Sequence, residues 1–199
     1  MFKELFANRL IKDATLSLVF MLFIYAVTHN EITHPTPHPQ KGNWSIQKMQ
    51  HPLFFGLAGH NYLVIRDPLG DIVYEIHGLA TDSKTGTWKY IGTDSRDFLK
   101  VWEFSEPRDY YAEKKYPGII LAEGEKDDMM ALWEKARSCK DAINAKTFYY
   151  PAYGFSIQNE TTNSNSVAYT ITKCMNIEAR HIGIITPGDG NDLLDPKHP

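Results

Sequence analysis

Residues 61–77 read NYLVIRDPLGDIVYEIH. Asn61 to Arg66 and Asp71 to His77 are rich in β-branched and aromatic side chains, which suit a pleated, half-buried surface. Between them, Asp67-Pro68-Leu69-Gly70 places proline at the second turn position and glycine where φ must be positive. Two such runs joined by such a turn predict an antiparallel hairpin. With the turn centred near Leu69, His77 falls opposite residue 60 or 61. His60 and His77 are therefore expected to be neighbours at the open end of the hairpin.

Further strands of the same sheet are expected at Thr87–Ile91 and at Phe98–Phe104, where apolar and polar residues alternate. Glu125 to Ala145 reads as a helix. Asp127 and Asp128 suit its first turn, and Met129, Leu132, Trp133, Ala136 and Ile143 fall on one face, flanked by Met130 and Cys139. A second helix is expected from about Asn163 to about Met175, with Asn163 as its N-cap. Residues 148–155 are aromatic and turn-rich, and residues 186–192 read as loop. The expected fold class is α+β: a small antiparallel sheet with a hairpin, packed on two main helices, behind an N-terminal hydrophobic helix.

That N-terminal helix comes from Ala14 to Val27, an uncharged run preceded by Lys3, Arg9 and Lys12. The run is shorter than the roughly 20 residues of a full span and fits the core of a signal peptide. Ile24-Tyr25-Ala26 makes a poor cleavage site, so the segment reads as an uncleaved signal anchor, with a cleaved signal as the alternative. The basic side stays cytoplasmic, which places the domain outside the cytoplasm. Pro35, Pro37 and Pro39 then mark an extended linker. The organisation read from sequence is thus an anchor over 1–28, a linker over 29–50 and one domain over 51–199.

Composition excludes some partners. The net charge is -3 and the pI about 6.2, with no basic stripe interleaved with aromatics, so nucleic acid is not an expected partner. Cys139 and Cys174 form no CxxC or Cys/His pair, and Asp189, Asn191 and Asp192 lack the spacing of a calcium loop. No metal and no cofactor is expected. A disulfide between the two cysteines depends on how closely their Cα atoms approach, which sequence leaves open.

Three features carry candidate chemistry: His60 on the first hairpin strand, His77 on the second, and Asn163-Ser164-Asn165-Ser166 at a helix start. Helix N-termini present free N–H groups and a positive dipole end, which favour an anionic nucleophile or an oxyanion. A nucleophile there, a histidine base on a facing strand and a second polar group to orient it make the general triad arrangement. Ser164 is the candidate nucleophile, with Ser166 half a turn away as the alternative. His60 is the candidate base and His77 the orienter. Asn163, Asn165 and Ser166 are candidate oxyanion or supporting residues. Asp82 and Asp94 are other candidates for the third polar group, although both read as loop aspartates. Asn and Ser also favour helix starts for backbone reasons alone, so simple capping is the competing reading.

Histidine on a strand first and a nucleophile at a helix start later resembles the circularly permuted papain-like proteins. These include permuted NlpC-type peptidases, lecithin:retinol acyltransferase-like enzymes and PPPDE-type isopeptidases. Residues 163–167 (NSNSV) are similar to the PPPDE-type Asn-Cys-Asn-Thr/Ser-Phe pattern, with serine in the cysteine place. His60 and His77 resemble the two strand histidines of the acyltransferase-like group. The resemblance implies a hydrolase or acyltransferase acting on an amide or ester of a peptide, glycan or lipid-like substrate. The serine is a departure, because a hydroxyl is a far weaker acid than a thiol. It leaves a non-catalytic binding module on the same fold as the alternative reading. A third reading is a structural protein that docks a partner through Tyr149, Tyr150 and Tyr153.

Overall fold

The hairpin lies at the centre of a seven-stranded antiparallel sheet. The computed structural model describes residues 40–53, 58–89, 92–105, 116–154, 161–182 and 185–197. The strands are β1 (Trp44–Leu53), β2 (Ala58–Arg66), β3 (Ile72–Thr81), β4 (Trp88–Lys89), β5 (Phe98–Phe104), β6 (Gly118–Gly124) and β7 (Phe148–Tyr149). The helices are α1 (Lys126–Ala145) and α2 (Ser164–Cys174). The strand order is β6-β1-β2-β3-β5-β7, with β4 also paired to β3. The expected anchor lies outside the described residues. Among the described residues, no helix is long and apolar enough to cross a membrane.

The expected α+β architecture is therefore present, and the hairpin turn forms as its residues dictate. Gly70 has φ +91° and donates its N–H to the Asp67 carbonyl at 3.0 Å. The Asp67 carboxylate accepts from the N–H groups of Leu69 and Asp71, each at 2.9 Å. β2 and β3 then pair as Ile65↔Tyr74, Val64↔Glu75 and Leu63↔Ile76, after an irregularity between Ile65 and Arg66. That bulge inserts one residue, so the register places His77 opposite Tyr62, one position beyond the sequence expectation.

The domain boundary needs correction. Residues 44–50, assigned to the linker from sequence, form most of β1, which lies between β6 and β2. Ser45, Gln47, Lys48 and Gln50 of this strand are all buried. Polar residues on both buried faces erase the hydropathy alternation that would have marked a strand. β6 and β7 were also unanticipated; β4 begins within the strand expected at Thr87–Ile91, whose last two positions lie outside the described residues.

Side chains alternate between the two faces of a sheet. One face presents Ile46, Leu63, Ile65, Ile76, Leu99 and Val101, which pack with Met129, Trp133, Ala136 and Ile143 of α1 and with Val167 and Ile171 of α2. Burying each large apolar side chain there contributes about 1.5–3 kcal/mol. The other face carries a smaller cluster of Met49, Tyr62, Val64 and Tyr116. A Cys139–Cys174 disulfide joins the two helices, with the Cα atoms 6.1 Å apart. This bond draws Cys139 into the buried face of α1, where sequence placed it on the flank. Gly78 sets the seat of α2 on β3. A Cβ at that position would lie 2.6 Å from Val167 Cγ2 and 2.9 Å from Ser164 Cα.

Candidate functional site

Glu75 and His77 are two residues apart on β3, so both project from the same face. His77 Nε2 lies 3.0 Å from Glu75 Oε2, and His77 Nδ1 lies 3.1 Å from His60 Nε2. The result is a continuous chain, Glu75–His77–His60, with Glu75 and His77 fully buried and His60 nearly so. Tyr62 holds the rings parallel: its centroid is 4.6 Å from that of His77 and 6.0 Å from that of His60. Phe104 meets the edge of His77 at 5.8 Å. Burial, and then the neighbouring His77 and His51, hold His60 well below the ordinary imidazole pKa, so the ring is neutral at pH 7.

The start of α2 lies on the opposite side of β3. His77 and Gly78 are consecutive on an extended strand, so they point to opposite faces, and Gly78 is the residue that faces Ser164 and Val167. Ser164 is buried, 3% exposed. Burial pushes the pKa of the Tyr150 phenol up to about 12, against the opposing effect of the neighbouring Ser164. The phenol is therefore neutral and a poor base. The Tyr150 ring rests against Gly92, where a Cβ would come within 2.7 Å of it.

The other residues of the helix start act as a clamp. Asn163 Oδ1 accepts from the N–H groups of Asn165 at 2.8 Å and Ser166 at 3.3 Å, completing a capping box with Ser166. Asn163 Nδ2 and Asn165 Nδ2 donate to the Pro187 carbonyl at 2.8 and 3.0 Å. The single hydroxyl hydrogen of Ser166 is shared between the carbonyls of Thr161 and Gly188, 2.7 and 3.0 Å from Oγ. The C-terminal segment so held is also pinned from beneath. Lys48 Nζ meets Asp189 at 2.9 Å with both side chains 1% exposed, and it donates to the Arg180 carbonyl at 2.9 Å. Along the β2 edge, the Asn61 N–H bonds Asn165 Oδ1 at 2.8 Å and the Gly59 N–H bonds the Ile185 carbonyl at 3.1 Å. The helix start and this segment thus stand where β3 would otherwise continue the ladder.

Of the residues singled out from sequence, His60 and His77 are brought together, and Asn163, Ser164, Asn165 and Ser166 form a second group. The two groups project from opposite faces of the sheet. Asn163 caps α2 as expected, and the side chains of Asn163, Asn165 and Ser166 spend their hydrogen bonds on the helix backbone and on residues 154, 161, 187 and 188. Asp82 and Asp94 supply no third group to the histidines: they pair with Lys89 and Arg96. Glu75 was missed, though its signal was present: an acidic residue inside a strand, two positions before a candidate histidine. Lys48 and Asp189 were missed because the two lie 141 residues apart in sequence. Tyr149 and Tyr153 are 59% and 64% exposed, whereas Tyr150 turns inward to Ser164. No protein-family model matches the chain, and no curated protein matches it, so the papain-like likeness rests on the residues quoted above.

Proposed function

We propose that the domain cleaves or transfers an amide or ester acyl group with His60 as general base and His77 as its orienter. The observation that supports this is the Glu75–His77–His60 chain, with links of 3.0 and 3.1 Å inside a buried sheet face. A neutral imidazole backed by further polar groups is the arrangement that takes a proton from an attacking oxygen. Because the histidines project away from α2, that oxygen belongs in this reading to a water or a substrate hydroxyl. Ser164 then serves to seat the helix start. The likeness to permuted papain-like proteins is part of the proposal: a hairpin with two histidines and an Asn-capped helix start laid over it. The setting proposed is a membrane-anchored domain outside the cytoplasm. The Cys139–Cys174 bond supports it, since such bonds persist in oxidising compartments.

Turnover of a panel of activated amides and esters by the purified full chain tests this reading. His60→Ala is expected to lose about 10²–10⁴-fold. Equal turnover by the parent chain and His60→Ala would refute it. A non-catalytic module that binds a peptide, glycan or lipid head group is the second reading. It is favoured by one observation: Asn163 already occupies the Asn165 and Ser166 N–H groups, which an oxyanion would need. It predicts ligand binding that survives His60→Ala, with no turnover by the parent chain.

A further inference from the structure

We infer that an aromatic strip on the histidine face, Trp102–Phe98–Tyr149, is a binding surface for a neutral glycan chain and holds the substrate of the adjacent histidine site. The surface stands on its own observations; its link to catalysis rests on the proposed role of His60. Cross-strand partners share a face of a sheet, so the register carries the histidine face outward from β3. Trp102 is opposite His77, Phe98 is opposite Thr81, and Tyr149 is opposite Phe98. The Trp102 indole reaches along this face and donates from Nε1 to Thr81 Oγ1 at 3.1 Å. Thr81 is four residues along β3 from His77, about 13 Å at the rise of a strand. The Phe98 and Tyr149 ring centroids lie 5.6 Å apart, with the planes tilted by 36°. The strip therefore starts beside His77 and runs to the β7 edge, half-buried at Trp102 and Phe98 and 59% exposed at Tyr149.

The chemistry of the strip selects its ligand. Lys100 stands between Phe98 and Trp102 on the same strand face, but its Nζ turns away to the carbonyls of Asn144 and Lys146 at 2.8 and 3.3 Å. The strip thus offers stacking surface without a cation, whereas a nucleic acid needs a positive groove as well. A peptide that adds a strand needs an open ladder edge. The outer edge of β5 is taken by β7 at Phe98 and Leu99, and by Asn144, which exchanges bonds of 2.8 and 2.9 Å with the Val101 backbone. A lipid tail is held by an enclosing apolar pocket, and this strip is half-open. Sugar rings combine an apolar face of C–H groups with an edge of hydroxyls. Such a ring covers an aromatic face while its hydroxyls stay in water, which suits a half-buried phenylalanine beside an exposed tyrosine.

The experiment is a titration of the full chain with the neutral hexasaccharides of cellulose, mannan and chitin, read by tryptophan fluorescence. Saturable binding of at least one of them is expected, and it should be insensitive to added salt because no charge is neutralised. Tyr149→Ala is expected to weaken it about tenfold or more. Tyr149→Trp is expected to retain it, since the larger ring keeps a stacking face. Leu69→Ala removes a still more exposed apolar side chain at the hairpin turn, and should bind as the parent does. No binding of any of the three sugars, or equal affinity in the parent and Tyr149→Ala, would overturn the inference. The two proposals fail separately. Hexasaccharide binding that depends on Tyr149, with no turnover by the parent chain, removes the general-base function and leaves the strip standing. Turnover that is lost in His60→Ala, with no hexasaccharide bound, does the opposite.

Discussion

The two faces of this sheet bury polar groups to different ends. On the helix face, Lys48, Asp189, Asn163, Asn165 and Ser166 meet partners whose donor and acceptor roles are mostly fixed: ammonium to carboxylate, amide N–H to carbonyl, hydroxyl to carbonyl. On the other face, Glu75, His77 and His60 are joined through atoms that can each hold or release a proton. Burial of polar groups is therefore a poor marker of chemistry by itself. The better marker is whether the hydrogen bonds admit one proton arrangement or two. The first kind locks a C-terminal segment onto a helix start; the second kind is the one the proposed chemistry draws on.

Breaking the locked face is expected to have the largest effect on stability. Lys48→Met removes the buried ammonium from Asp189, leaving it His181 Nδ1 at 2.9 Å, and is expected to cost about 3–5 kcal/mol in urea unfolding. Pairing it with Asp189→Leu should recover much of that loss, since apolar replacement of both partners removes the stranded charge. A loss below about 1 kcal/mol in Lys48→Met would mean the pair does not hold the segment. Next comes the link between the helices. Replacing Cys139 and Cys174 together by alanine should lower stability by about 2–4 kcal/mol, read from the same unfolding curves. An undiminished midpoint would show that packing alone fixes α1 against α2. Smaller again is Gly78→Ala, expected to cost about 1–3 kcal/mol by pressing a methyl into Val167 and the Ser164 backbone. Full stability in that variant would unseat α2 from β3, and with it the assignment of the two faces.

The smallest effect sharpens the histidine side of the comparison. His60 has its folded pKa depressed below the ordinary value of 6.5, chiefly by burial. The unfolded chain therefore binds a proton more readily at this residue than the folded one does. The stability that follows is fully present above pH 6.5 and is lost as pH falls from there towards the depressed value. Thermal melts at about pH 7.5 and about pH 5.5 should show a lower midpoint at the acid value. His60→Phe should reduce that difference, and an equal difference in both proteins would deny His60 its share.

Much of this was legible because local chemistry decided it. The 67–70 turn, the span of α1 and the Asn163 cap each follow from residues within a few positions of one another, and the structure places them within a residue or two of expectation. The failures have a common cause. β1 carries buried Ser45, Gln47, Lys48 and Gln50, whose partners include Arg66, Asn61 and Asp189, none of them local. A strand whose burial is satisfied by distant polar groups has no hydropathy signature. The candidate site split for a different reason. The types and order of His60, His77 and Ser164 were readable, but period-2 alternation turns on a single residue, and Gly78, next to His77, is the one that faces the helix. The Glu75 contribution was available from the same alternation, once His77 was assigned a face.

The central claim is that the chemistry belongs to the histidine face and that the helix start is a clamp. The most direct test measures turnover of one activated ester by the full chain, by His60→Ala and by Ser164→Ala, with folding of each verified by its thermal midpoint. The account predicts that Ser164→Ala stays within about threefold of the parent while His60→Ala falls by about 10² or more. A folded Ser164→Ala protein that has lost turnover to the same extent as His60→Ala would contradict it and restore Ser164 as the nucleophile.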